Sequence, residues 1–177
     1  MGKGGQPGGE KIWVMEREND NWSEPKPLLP VINSLKIHWQ FSVDRKGNLY
    51  FGVWKVDPLI GSTTDFNIYY SKYENREYGK PEKLGPEINN SQFNQYSPFV
   101  APDGSYLIFT RQSKISEPQL ILSIFISFRE KDGSWSEARE IDEIIRMDNH
   151  DIAQPCVTPD GKYLVFQRVV GGHSIEL

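Results

Sequence analysis

An all-β fold of repeated antiparallel sheets is predicted by three observations. A glycine-centred motif recurs at Gly47, Gly104 and Gly161, a constant spacing of 57 residues. Aromatic residues make up 12% of the chain beside a modest 37% of hydrophobic residues, and pleated surfaces accept such side chains. Segments rich in Gly, Pro, Asn, Asp and Ser fall between the apolar runs, where turns are expected.

The repeat extends well beyond the glycine. Short apolar runs at Ile12-Trp13-Val14, Ile68-Tyr69-Tyr70 and Ile124-Phe125-Ile126 stand 56 residues apart. Each is followed by an aromatic turn: Trp22-Ser23-Glu24-Pro25, Tyr78-Gly79-Lys80-Pro81 and Trp135-Ser136-Glu137-Ala138. The first two units also share Ile32-Asn33 and Ile88-Asn89. Pro-Asp-Gly between two apolar runs reads as a hairpin turn, since Pro presets φ, Asp bonds its own backbone and Gly takes a positive φ. The run Tyr106-Leu107-Ile108-Phe109 is apolar at successive positions, so it belongs to a strand covered on both faces. A helical solenoid is the rival architecture. It fails for want of apolar spacing at i, i+3 and i+4, with one short helical turn allowed over 141–147.

Stacked four-stranded sheets meet these requirements, and β-propeller blades are such sheets. Each unit then supplies one strand before the glycine turn, one after it, one at the Ile68 position and a short outer one near Lys83-Leu84. The domain reading is a flexible Gly-rich leader over 1–9 and a repeat region over 10–177, with units of roughly 10–66, 67–122 and 123–177. The leader has no apolar run of the secretory kind. The chain enters at a third strand and leaves at a hairpin followed by Ser174-Ile175-Glu176-Leu177, so it holds about three blades' worth of strands. Closed propellers have about four to eight blades. An incomplete propeller, a fragment of a longer one, is the expectation, with two copies closing one ring as the alternative.

The second and third units, Pro102-Asp103-Gly104-Ser105-Tyr106-Leu107-Ile108-Phe109 and Pro159-Asp160-Gly161-Lys162-Tyr163-Leu164-Val165-Phe166, resemble the TolB-type, WD-like propeller repeat. The first unit departs from it, because Arg45-Lys46-Gly47 replaces Pro-Asp-Gly and the next strand is one residue shorter; a looser turn is expected there. The resemblance implies recognition surfaces of the bacterial periplasm or cell envelope, or propellers attached to other domains. It brings no fixed catalytic set.

The function expected is therefore a non-enzymatic binding module that recognises a protein or small ligand through its loops, of which 54–66 and 111–123 are long. The alternative is the propeller portion of a hydrolase, of prolyl-oligopeptidase or glycosidase type, whose catalytic part lies outside this chain. The sequence has no Gly-x-Ser-x-Gly, His-Glu-x-x-His or Cys-x-x-Cys signature. No cofactor and no metal site is expected. Equivalent positions in successive blades converge around a central channel, which makes His38, Asn94, Tyr96 and Asp151 the candidates for a binding mouth. His150 and His173 read as loop residues. A net charge of −4 without a basic cluster gives no footprint for nucleic acid. No stretch reaches the roughly 20 apolar residues of a membrane-spanning helix. Open blade faces invite self-association. The single cysteine, Cys156, reads as an inert core residue, and Trp22, Tyr78 and Trp135 read as packing between blades. Asn21-Trp22-Ser23 and Asn89-Asn90-Ser91 fit glycosylation sequons.

Overall fold

The computed structural model describes residues 11–56, 63–114, 122–141 and 151–169. The leader and the candidate helical turn beyond Ile141 lie outside them. The elements run β1 (Trp13–Val14), β2 (Arg17–Glu18), β3 (Asn21–Trp22), β4 (Lys26–Pro27), the one-turn helix α1 (Pro30–Asn33), β5 (Ile37–Val43), β6 (Leu49–Val56) and β7 (Thr63–Ser71). They continue as β8 (Tyr73–Glu74), β9 (Glu77–Tyr78), β10 (Glu82–Lys83), β11 (Phe93–Val100), β12 (Tyr106–Ser113), β13 (Leu122–Phe128), β14 (Arg139–Glu140), β15 (Asp151–Val157) and β16 (Leu164–Val169). The chain is all-β.

Two four-stranded antiparallel sheets, β5-β6-β7-β10 and β11-β12-β13-β14, form its middle. A two-stranded pair stands at either end, β1 with β4 and β15 with β16. The pairing repeats by position. Leu49 lies opposite Val43, Leu107 opposite Val100 and Leu164 opposite Val157, while Phe51 faces Tyr69 and Phe109 faces Phe125. Thus β1 and β4 correspond to the third and fourth strands of a full sheet, and β15 and β16 to the first and second.

Each β-turn is built on its glycine. The N–H of Gly47, Gly104 and Gly161 donates to the carbonyl of Asp44, Ala101 and Thr158 at 2.9, 2.8 and 2.8 Å, and all three glycines have positive φ. The first turn is one residue shorter but not looser. The buried Asp44 carboxylate accepts the backbone N–H groups of Lys46 and Asn48 and the Asn48 side-chain amide, at 2.8–3.0 Å. A Cβ at Gly47, where φ is +87°, would lie 2.7 Å from Cδ1 of Tyr73, whereas one at Gly161, φ +71°, meets nothing within 4 Å. Gly161→Ala is therefore expected to cost only the roughly 1–2 kcal/mol of a left-handed residue. Gly47→Ala should cost more than that, a difference read directly from urea-unfolding midpoints.

The first strands β5, β11 and β15 each carry a bulge at the corresponding place, between His38 and Phe41, Tyr96 and Phe99, and Ala153 and Cys156. Ser97 and Gln154 adopt φ of 53° and 54° there, and each is followed by a proline, which is accepted at bulges and in edge strands such as β11 and β15. Between the third and fourth strands sits a small hairpin, β2-β3 and β8-β9, with the single bridge Arg129–Trp135 in the next unit. Asn75 and Arg76 both have positive φ at its tip, as a tight two-residue turn requires.

Three cores lie between consecutive sheets. Ile12, Ile32, Leu49 and Phe51 fill the first. Tyr50, Ile68, Ile88, Val100, Leu107, Phe109 and Trp135 fill the second, and Ile108, Ile124 and Ile152 the third. Along the second strand, leucine and phenylalanine therefore face the preceding sheet, while Tyr50 and Ile108 face the following one. Two asparagines stitch the sheets to their connections in the same way. Asn33 exchanges bonds with the N–H and carbonyl of Ile12, both at 3.0 Å, and donates to the Leu28 carbonyl at 2.8 Å. Asn89 repeats this with Ile68 at 2.7 and 2.9 Å and with Leu84 at 2.8 Å.

In the middle core Tyr50 is fully buried, and its hydroxyl accepts a 2.8 Å bond from the Arg129 guanidinium. Burial pushes its pKa from 10.0 to about 12, with Arg129 opposing the shift. The folded state thus keeps a proton that the unfolded chain releases first, so stability present below pH 10 is lost as pH rises toward 12. Wild type should lose up to ~1.4 kcal/mol per pH unit across this window. Tyr50→Phe should flatten that slope in alkaline unfolding titrations.

Two expectations fail in the same way. Trp135 is buried and Tyr78 packs into the first core, but Trp22, at the corresponding place, is 63% exposed. Cys156 is exposed as well, not a core residue. Trp22 faces backward from the first sheet and Cys156 lies on the last, so among the described residues neither has a sheet to pack against.

Candidate functional site

Strands β5, β11 and β15 begin at one end of the stack, the end at which β6 passes to β7 and β12 to β13. His38 pairs with Gly52, Asn94 with Gln112 and Asp151 with Val169. Counted from the paired leucines, Asn94 and Asp151 stand at one level near the end of their sheets, and His38 stands two residues further in, level with Tyr96, which pairs with Thr110. The connecting segments 57–62 and 115–121 lie outside the described residues.

Side chains bind the bases of those segments across the gap between sheets. Oδ1 of the half-buried Asn94 accepts the Phe66 N–H at 3.2 Å. Tyr96 is buried, with its ring edge-on to Phe66 at 5.8 Å between centroids, so it sits in the wall between sheets and not at an open mouth. Lys114 pairs with the Asp65 carboxylate and donates to the Ser91 carbonyl at 3.1 Å. Sheet spacing and strand twist bring Asp65 and Lys114 together from positions 49 residues apart, a pairing no local pattern announces.

Behind them Arg111 is 4% exposed and donates to the carbonyls of Glu87 and Ile88, both at 3.0 Å. Its guanidinium lies 4.4 Å from the Phe125 ring centre and within 5.6 Å of those of Phe109 and Phe93. Desolvation lowers its pKa, opposed by Glu137 and Glu140. It braces the connection into β11. The sequence offered one hint of it, a charged residue at the end of an otherwise apolar strand.

On β11, Gln95 and Ser97 are fully buried, and Gln95 donates to the Asn90 carbonyl at 2.6 Å. Asn89 spends its side-chain amide on two carbonyls and is buried, which takes its sequon out of reach of glycosylation. Among the described residues no group of three or more His, Cys, Asp or Glu side chains is placed to hold a metal ion. Chemically, this end presents hydrogen-bonding and aromatic groups on a braced scaffold. That arrangement suits binding.

No family model, curated protein or solved structure matches the chain. Among the described residues no helix is long and apolar enough to cross a membrane.

Proposed function

We propose that the chain is a set of TolB-like β-propeller blades acting as a non-enzymatic binding module. It engages a protein or small ligand through the loops 54–66 and 111–123. The observation that carries this reading is the cross-sheet bracing of their bases by Asn94 with Phe66, Tyr96 with Phe66, and Lys114 with Asp65. Loops carried on a rigid scaffold are where recognition commonly resides. The blade reading draws support from the strand order and from the cores between consecutive sheets.

A thermal-shift screen of defined short peptides and saccharides tests the reading, run in parallel on a variant with both segments replaced by short Gly-Ser links. The expected result is a stabilising compound whose effect disappears in the variant. Absence of any segment-dependent stabiliser overturns the binding reading, as does turnover of nitrophenyl ester or glycoside substrates by the chain alone.

A further inference from the structure

We propose that the fold holds a water-binding site between Gln95 and Arg111, where one buried water molecule joins the two side chains beneath the connection into β11. It rests neither on the blade reading nor on the loop reading above.

Register brings the two residues together. Gln95 lies directly opposite Arg111 on β11 and β12. Partners of that kind project from the same face of a sheet, with Cβ atoms about 4.5–5.5 Å apart. Both side chains then reach for one stretch of backbone. Nε2 of Gln95 donates to the Asn90 carbonyl at 2.6 Å, and a terminal nitrogen of Arg111 donates to the carbonyls of Glu87 and Ile88, both at 3.0 Å. Side chains that start opposite each other and end on the stretch 87–90 are neighbours along their whole length.

Two polar atoms remain. Gln95 is 0% exposed and Arg111 4%, and neither Oε1 of the first nor Nε of the second has a hydrogen-bond partner among the described residues. They do not bond to each other. One is an acceptor and the other a donor, so a single bridging group can serve both. The flat faces of the guanidinium lie against Phe93, Phe109 and Phe125, and its hydrogen bonds can leave only from the edge that carries Nε. Among the described residues no carboxylate lies within ion-pair distance of Arg111. Its charge is desolvated, and desolvation lowers its pKa against the opposing pull of Glu137 and Glu140.

These groups select the occupant. A cation is repelled by the guanidinium. An anion takes the Nε–H but then faces the negative end of the Gln95 amide. Water accepts from Nε and donates to Oε1, and a bond from a charged donor is among the stronger ones. Buried waters occur at polar points of this kind, commonly with two to four partners.

The test is water-selective NMR on the full ¹⁵N-labelled chain, with the Arg111 Nε–H resonance assigned by its loss in Arg111→Lys. A cross-peak between that proton and water is expected, with the sign of a long-lived contact in the laboratory frame and a rotating-frame sign that separates it from proton exchange. Gln95→Met keeps the length of the side chain and removes the acceptor. It should abolish the cross-peak and lower the oxygen-17 relaxation dispersion by the share of one long-lived molecule. Lack of the cross-peak in the unmodified chain overturns the proposal, as does a cross-peak of equal strength in Gln95→Met. A scalar coupling from Arg111 Nε–H directly to the Gln95 side-chain carbonyl overturns it too. Should Gln95→Met fail to fold, a high-resolution crystal structure of the unmodified chain decides. A water oxygen about 3 Å from both atoms is expected, and direct contact between the two atoms overturns the site.

Discussion

Phe109→Ala is expected to destabilise the chain by about 3–5 kcal/mol, the usual cost of deleting a buried ring and leaving a cavity. Phe109 is fully buried at the centre of the middle core, stacked on Phe125 at 6.2 Å, with the Arg111 guanidinium 5.4 Å from its ring centre. Sheets on either side limit collapse into the space, so little of the loss is recovered. The position-matched control is Phe166→Ala, in the end pair, where the ring is only half-buried. That substitution should cost clearly less in urea unfolding of the monomer. Equal effects would mean that the middle core is no better packed than the end of the stack.

Asn89→Ala should cost about 2–4 kcal/mol, because it strands the N–H of Ile68 and the carbonyl of Leu84, while the Ile68 carbonyl keeps its 3.1 Å bond from the Leu84 N–H. A buried polar group left unpaired costs about 1–3 kcal/mol, and the two will not both be lost in full. Asn33→Ala removes the same set at Ile12 and Leu28, where the end sheet lies open to water on one side. Its effect should be smaller. Hydrogen exchange at the Ile68 amide gives a local readout, since protection there should fall in Asn89→Ala and hold in Asn33→Ala.

Much of this architecture was legible because a repeat multiplies every local signal. The glycine turns at 47, 104 and 161 set strand phases, and the apolar runs at 12, 68 and 124 marked the third strands, including the partial sheets at both ends. What escaped was either too short to leave a period or settled by the neighbouring sheet. Helix α1 is a single turn opened by Pro30, and the β8-β9 hairpin is six residues from Tyr73 to Tyr78. Trp22 and Cys156 show the second limit. Pattern assigned each to a face, but burial also needs something on the other side, which a periodic signal does not report. At the candidate site, Asn94 was legible as the start of the strand before a glycine turn. The Lys114–Asp65 pair and the Arg111 brace were not, since both depend on how two sheets twist past each other.

The three cores each join one sheet to the next, and this gives the chain the thermodynamics of a short linear array. In such arrays stability approximates a sum of unit terms and nearest-neighbour couplings, so disorder enters at the termini and travels inward. The interface between Tyr50 and Phe109 has a coupled sheet on each side and should be the last to melt. Amide protection should therefore rise from β1 and β16 toward β6 and β12. A ligand held by the segments after those two strands would grip the stack where it yields least.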